Sequence, residues 1–146
     1  MKQTIATCNV HLGDTPVHII FKDIPYIGFT LEIPVKVASI DEAASTVSII
    51  ITTDALETLK GEGHFLYINN QLVGRIKDPD RNHIDTIDIP RETFEQLISP
   101  HNFMLLKIRV DDWDRDSSPG SGALDDFVLK KIEIENATVS TTYLIP

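Results

Sequence analysis

The chain predicts an all-β fold, a two-sheet antiparallel β-sandwich of jelly-roll type with one short helix, and three observations carry that reading. Apolar residues recur with period two along most of the 146 residues, as in strands that bury one face. Pro, Gly and Asn punctuate the chain at short intervals, which suits many short strands joined by turns. Only one stretch has helical spacing.

The first candidate strand, Thr4 to Leu12, sets Ala6, Cys8, Val10 and Leu12 on one side, and Val17 to Ile24 follows it. The clearest alternation places Leu31, Ile33, Val35 and Val37 against Thr30, Glu32, Pro34 and Lys36. Pro34 has no N–H for a ladder, so this strand is expected at an edge or at a bulge. Next come Thr46 to Thr53, Phe65 to Ile68 and Leu72 to Ile76, the last two joined by Asn69 and Asn70. Asn tolerates positive φ, which makes that link a tight hairpin; Gly61 and Gly63 mark another turn.

Ile84 to Ile89 is followed by the helical candidate, residues 90–99, where Phe94, Leu97 and Ile98 are spaced i, i+3 and i+4 behind Pro90. Ser99 and Pro100 end it. Phe103 to Val110, Phe127 to Glu135 and Val139 to Leu144 complete about ten strands. Between Phe127, Leu129 and Ile132, Ile134 the alternation slips by one residue, which predicts a β-bulge near Lys130 and Lys131. The expected inward residues include Cys8, Leu31, Ile33, Val35, Val37, Leu106, Ile108, Val110, Ile132 and Ile134.

Hydrophobic residues at 42% and charged residues at 24% are ordinary globular values. Residues 1–146 read as a single domain, long enough to bury a core without staples. A net charge of −9 disfavours nucleic acid and bare anionic membrane, since phosphate contacts need clustered Lys and Arg. Cys8 is the single cysteine, so no intrachain disulfide forms, and its place on the apolar side points to a buried structural thiol. The first residues carry no signal-peptide pattern and no apolar run approaches a membrane span. The cytoplasm is the default expectation, and a mature secreted chain or a module of a larger protein has the same features.

The most informative segment is acidic: Asp111, Asp112, Trp113, Asp114, Arg115 and Asp116, a Ser/Pro/Gly stretch, then Asp125 and Asp126. Its formal charge of −5 exceeds half of the total, and crowded carboxylates favour a hard cation such as calcium. Asp112, Asp114 and Asp116 alternate, so a loop curling around an ion can turn all three inward, with Asp125 and Asp126 closing the shell. The EF-hand template fails, because Ser117 stands where Gly is needed and Ala123 where a bidentate Glu belongs. A solvated acidic loop is the competing reading.

Trp113 in this segment offers a platform for a sugar ring or a partner, or a plug over the end of the sandwich. Arg115 can contact a ligand or pair with a neighbouring Asp. His11, His18, His64, His83 and His101 form no zinc-ligand spacing and read as surface or turn residues. Ser118 or Ser121 with His101, and Asp78 with Asp80, are the materials for a hydrolase, with nothing in the sequence to set their geometry. Asn136, Ala137 and Thr138 fit a glycosylation pattern that matters only in a secreted chain.

From His64 to Glu135 the chain resembles the galactose-binding-like jelly roll of carbohydrate-binding modules and accessory domains. Residues 65–74, FLYINNQLVG, look like that family's strand, Asn-containing turn and returning strand. Residues 97–110, LISPHNFMLLKIRV, and 125–134, DDFVLKKIEI, are similar to its long central strand and its closing strand. A weaker resemblance is to the C2 domain, whose calcium loop residues 110–116 and 125–127 look like. Phe127 is not followed by the Ile-Gly or Leu-Gly that usually continues that pattern.

The jelly-roll resemblance implies a non-enzymatic binding module for carbohydrate or a protein partner, with calcium in the acidic loop. The C2 resemblance implies calcium-dependent lipid binding, the one reading with a membrane partner, and a hydrolase ranks below both.

Overall fold

The computed structural model describes residues 1–12, 18–21, 24–27, 30–57, 64–76, 83–110 and 126–145. Among these residues twelve strands and one helix follow in order: β1 (Lys2–Leu12), β2 (His18–Phe21), β3 (Ile24–Ile27), β4 (Thr30–Ile40), β5 (Thr46–Glu57), β6 (His64–Ile68), β7 (Gln71–Ile76), β8 (His83–Pro90), α1 (Arg91–Ile98), β9 (Phe103–Arg109), β10 (Asp126–Glu135), β11 (Ala137–Val139) and β12 (Tyr143–Ile145). One sheet runs β12-β1-β10-β5-β8 and the other β2-β3-β4-β9-β6-β7, with β11 added to β4.

Four antiparallel pairs are nested one inside the next: β6 with β7, β5 with β8, β4 with β9, and β1 with β10. That nesting is one long hairpin. Folding it over so that β10 also pairs β5 and β9 also pairs β6 gives two four-stranded sheets, the double Greek key of a jelly roll. The β2-β3 hairpin, β11 and β12 are additions to this eight-stranded frame.

Period two sets the core. All ten residues expected inward are buried, and Ile5, Leu66, Ile68 and Leu129 join them at 0% exposure. The bulge near Lys130 is present: the β10-β5 register shifts between Leu129 and Lys131, and β1 shifts opposite it. Asn69 and Asn70 both have positive φ, 50° and 67°, and close the β6-β7 turn. Helix α1 buries Phe94 and Ile98, and extended Ser99 ends it.

Three expectations need correction. β4 is flanked on both sides, by β9 along Thr30–Lys36 and by β3 and β11 at its two ends. Between those ends Pro34 still has an open side, where its carbonyl accepts the Tyr143 hydroxyl at 2.7 Å. The missing N–H is therefore accommodated by a local gap in the pairing. The segment Val139 to Leu144 is two strands that part company: β11 joins one sheet, while β12 joins the other, parallel to β1. His64 is no surface residue, being 1% exposed on the inner face of β6.

At the edge of the sandwich β7 meets β8. A Cβ at Gly74 would lie 2.7 Å from Ile87 Cγ2, so only a glycine allows this approach. Among the described residues no helix is long and apolar enough to cross a membrane.

Candidate functional site

The described strand ends sort to two ends of the sandwich. Strand β8 ends at Pro90 and β9 begins at Phe103, on either side of α1, so the turns at 41–45, 69–70 and 99–102 share the helix end. Leu12, Glu57, His64, Ile76, His83, Arg109 and Asp126 mark the other end.

Trp113, Arg115, Asp112, Asp114, Asp116 and Asp125 lie outside the described residues, as do Asp78, Asp80, Ser118 and Ser121. Asp126 opens β10 opposite Glu57, and its side chain is outside the description as well. Among the described residues no group of three or more His, Cys, Asp or Glu is placed to hold a metal.

Three other features have structural explanations. Cys8 is 6% exposed, and burial pushes its thiol up to about 12, against a smaller lowering pull from Lys130; it is a neutral core group. Asn136 has φ 70° and donates its Nδ2 to Thr46 O at 3.0 Å, which ties up the nitrogen that glycosylation would modify. At the helix end a groove of about 290 Å³ runs between β4 and α1 past Ser39, Glu42, Arg91 and Asn102. Its cation is already bound: Arg91 donates Nε to Glu95 at 2.9 Å and Nη1 to the carbonyls of Asp41 and Glu42, tying the 41–45 turn to the helix.

The outer face of the second sheet is different. The register aligns Thr30, Arg109, Phe65 and Arg75 in one row across β4, β9, β6 and β7, and Glu32, Lys107, Tyr67 and Leu72 in the next. Directly opposed residues share a face, so cations and rings alternate across the sheet. Arg75 Cζ stands 5.2 Å from the Phe65 ring centre and Lys107 Nζ 5.0 Å from that of Tyr67, both in cation-π range. Lys107 also donates to Asn70 Oδ1 at 3.1 Å. Arg75, Arg109 and Leu72 are exposed, while Phe65, Tyr67 and Lys107 are half-buried.

With Lys36, four of the chain's 13 Lys and Arg residues lie on this face, against one described carboxylate, Glu32. Among the described residues no carboxylate makes an ion pair with Arg75, Lys107 or Arg109. The first sheet instead pairs its polar groups internally, Ser48 with Asp88, Lys130 with Asn9 and Lys131 with Glu133.

Sequence reading missed this cluster because its members come from three strands. The available signal was that Phe65, Tyr67, Lys107 and Arg109 occupy the non-core phase of two alternating segments. No protein-family model, curated protein or solved structure matches the chain.

Proposed function

We propose that this protein is a non-enzymatic jelly-roll binding module whose ligand is a carbohydrate chain. The observation that supports this reading is the outer face of the second sheet, where Phe65 and Tyr67 lie side by side among cationic stems. Half-buried rings fixed on rigid strands are preorganised contact surface, and their immobility limits the entropy lost on binding. The galactose-binding-like resemblance of residues 64–135 points to the same ligand class.

Calcium is part of the proposal: Asp112, Asp114, Asp116, Asp125 and Asp126 would hold one ion, and Trp113 and Arg115 would stand beside it for ligand contact. Binding of the full chain to an array of neutral and charged glycans, in calcium and in chelator, tests the reading. Retention of at least one glycan class supports it. A blank array with capture of anionic vesicles only in calcium would replace it with the C2-like lipid module. The ion is tested by itself through melting temperature, which calcium should raise and magnesium should raise less, since an ion that binds only the native arrangement stabilises it by mass action.

A further inference from the structure

Resting on the carbohydrate reading, we infer that the Phe65–Tyr67 face takes an anionic chain, a carboxylated or sulfated polysaccharide, with Arg75, Lys107 and Arg109 holding its acidic groups. The register carries this. Strands lie about 4.8 Å apart and alternate residues about 7 Å apart along a strand, so Arg109 and Arg75 flank Phe65 about 10 Å from each other, and Lys107 sits one step along from Arg109. Three cations thus crowd an area two strand spacings wide. Like charges on neighbouring positions of one face oppose folding slightly, and no described carboxylate relieves them by ion pairing.

Packing of long stems over rings accounts for the two cation-π contacts. It does not account for Arg109, which has no ring beneath it among the cation-π pairs, is exposed, and lies beside the other two. An anionic ligand accounts for all three. Charge decides the sign of the partner: among the described residues, four cations against one carboxylate gather on this face of a chain that is −9 overall.

Size decides its kind. The charged part of this face is a narrow strip, about 10 Å across the strands from Arg109 to Arg75 and about 7 Å along them to Lys107, which one extended polymer strand covers. A membrane would bring the whole −9 chain against lipid of the same sign. A polysaccharide strand touches this face alone. The guanidinium groups can fork onto carboxylate or sulfate oxygens, and the ring edges with Leu72 provide the apolar floor for the sugar rings.

The test is affinity electrophoresis and calorimetric titration of the full chain with polygalacturonate and dextran sulfate, alongside neutral dextran, xyloglucan and anionic vesicles, first in chelator so that no calcium bridge contributes and then in calcium. Retention by an acidic polymer, weakening in 0.5 M salt by screening, is the expected result. Arg75→Gln/Arg109→Gln should lose about tenfold or more of that affinity through the missing charge-assisted bonds, with melting temperature and circular dichroism showing that it still folds. Lys130→Gln/Lys131→Gln, the same loss of charge on the first sheet, should bind as the parent does. Equal losses in both variants would mean unspecific attraction and overturn the inference, as would acidic-polymer binding that appears only with calcium, or capture by anionic vesicles in place of polysaccharide. Binding of neutral polymers alone would overturn the inference while leaving the carbohydrate reading standing, and silence on every polymer would remove that reading too.

Discussion

Asn69 and Leu105 exchange two hydrogen bonds as if both were strand residues, but one of the four groups is a side chain. Asn69 N donates to Leu105 O at 3.0 Å, and Leu105 N donates to Asn69 Oδ1 at 2.8 Å, so the carboxamide oxygen replaces a backbone carbonyl. The Asn69 Nδ2 group donates to Leu97 O at 2.7 Å and to Phe103 O at 2.8 Å, satisfying a carbonyl at the C-terminal turn of α1. One residue thus joins turn, helix and central strand. Gln3 works the same way elsewhere, exchanging two bonds with the backbone of Val139 to join β1 of one sheet to β11 of the other.

Asn69→Gly should keep the positive φ and lose three side-chain bonds, costing about 2–3 kcal/mol in urea denaturation. Asn69→Ala should cost about 1 kcal/mol more, because it also strains the left-handed backbone. Asn69→Asp keeps the acceptor but turns a second oxygen on two carbonyls, and should be no better than Ala. A Gly variant as stable as the parent would show that the network contributes nothing net.

Gly74→Ala should destabilise by about 1–3 kcal/mol, since the new methyl would sit 2.7 Å from Ile87 Cγ2, a branch that cannot swing clear. Ile87→Ala removes that branch. The pair should therefore couple in a double-mutant cycle, with Gly74→Ala costing less in the Ile87→Ala background. Strict additivity would mean that β7 shifts to absorb the methyl.

Most of this architecture is legible in the sequence, and the reason is periodicity. Leu31 to Val37 and Phe103 to Val110 alternate cleanly, so their inner faces follow from spacing alone, and the slip at Lys130 announces its bulge. Position 64 follows the same rule, since His64 is in phase with Leu66 and Ile68, and phase outweighs the polarity of its side chain. What period two cannot state is which strands pair. The row Arg109, Phe65, Arg75 exists only through the β9-β6-β7 order, and β11 and β12 part at residues 140–142, where nothing apolar marks the change of sheet. The acidic segment was legible as charge, and its residues 111–125 lie outside the described structure.

Tyr143→Phe tests the gap beside Pro34. The hydroxyl is the hydrogen-bond donor to Pro34 O, and its loss should cost about 1 kcal/mol by leaving that carbonyl poorly satisfied. Pro34→Val should not restore the loss, because the added N–H faces a gap between β3 and β11 with no strand opposite it. A Pro34→Val variant more stable than the parent by more than the cost of Tyr143→Phe would indicate that the gap can close.

Cys8 gives a pH prediction whose direction follows from its environment. Burial raises the thiol from 9.0 to about 12, with Lys130 opposing the shift, so the folded chain holds its proton over a range in which the unfolded chain has released it. The native state then binds more protons than the unfolded one between those values, and stability must fall with rising pH across that window. The contribution is fully present below pH 9.0 and is lost as pH rises through about 12. Stability measured in denaturant from pH 8 to pH 11 should therefore decline, and Cys8→Ala, although less stable at pH 8 through the lost sulfur, should decline less steeply. At pH 8 a thiol reagent should modify the native protein at a rate that tracks unfolding and rises steeply with denaturant, because the group reacts only as exposed thiolate. Modification as fast as that of a free thiol in native buffer would mean that Cys8 is open to solvent and that the first strand frays from the sheet.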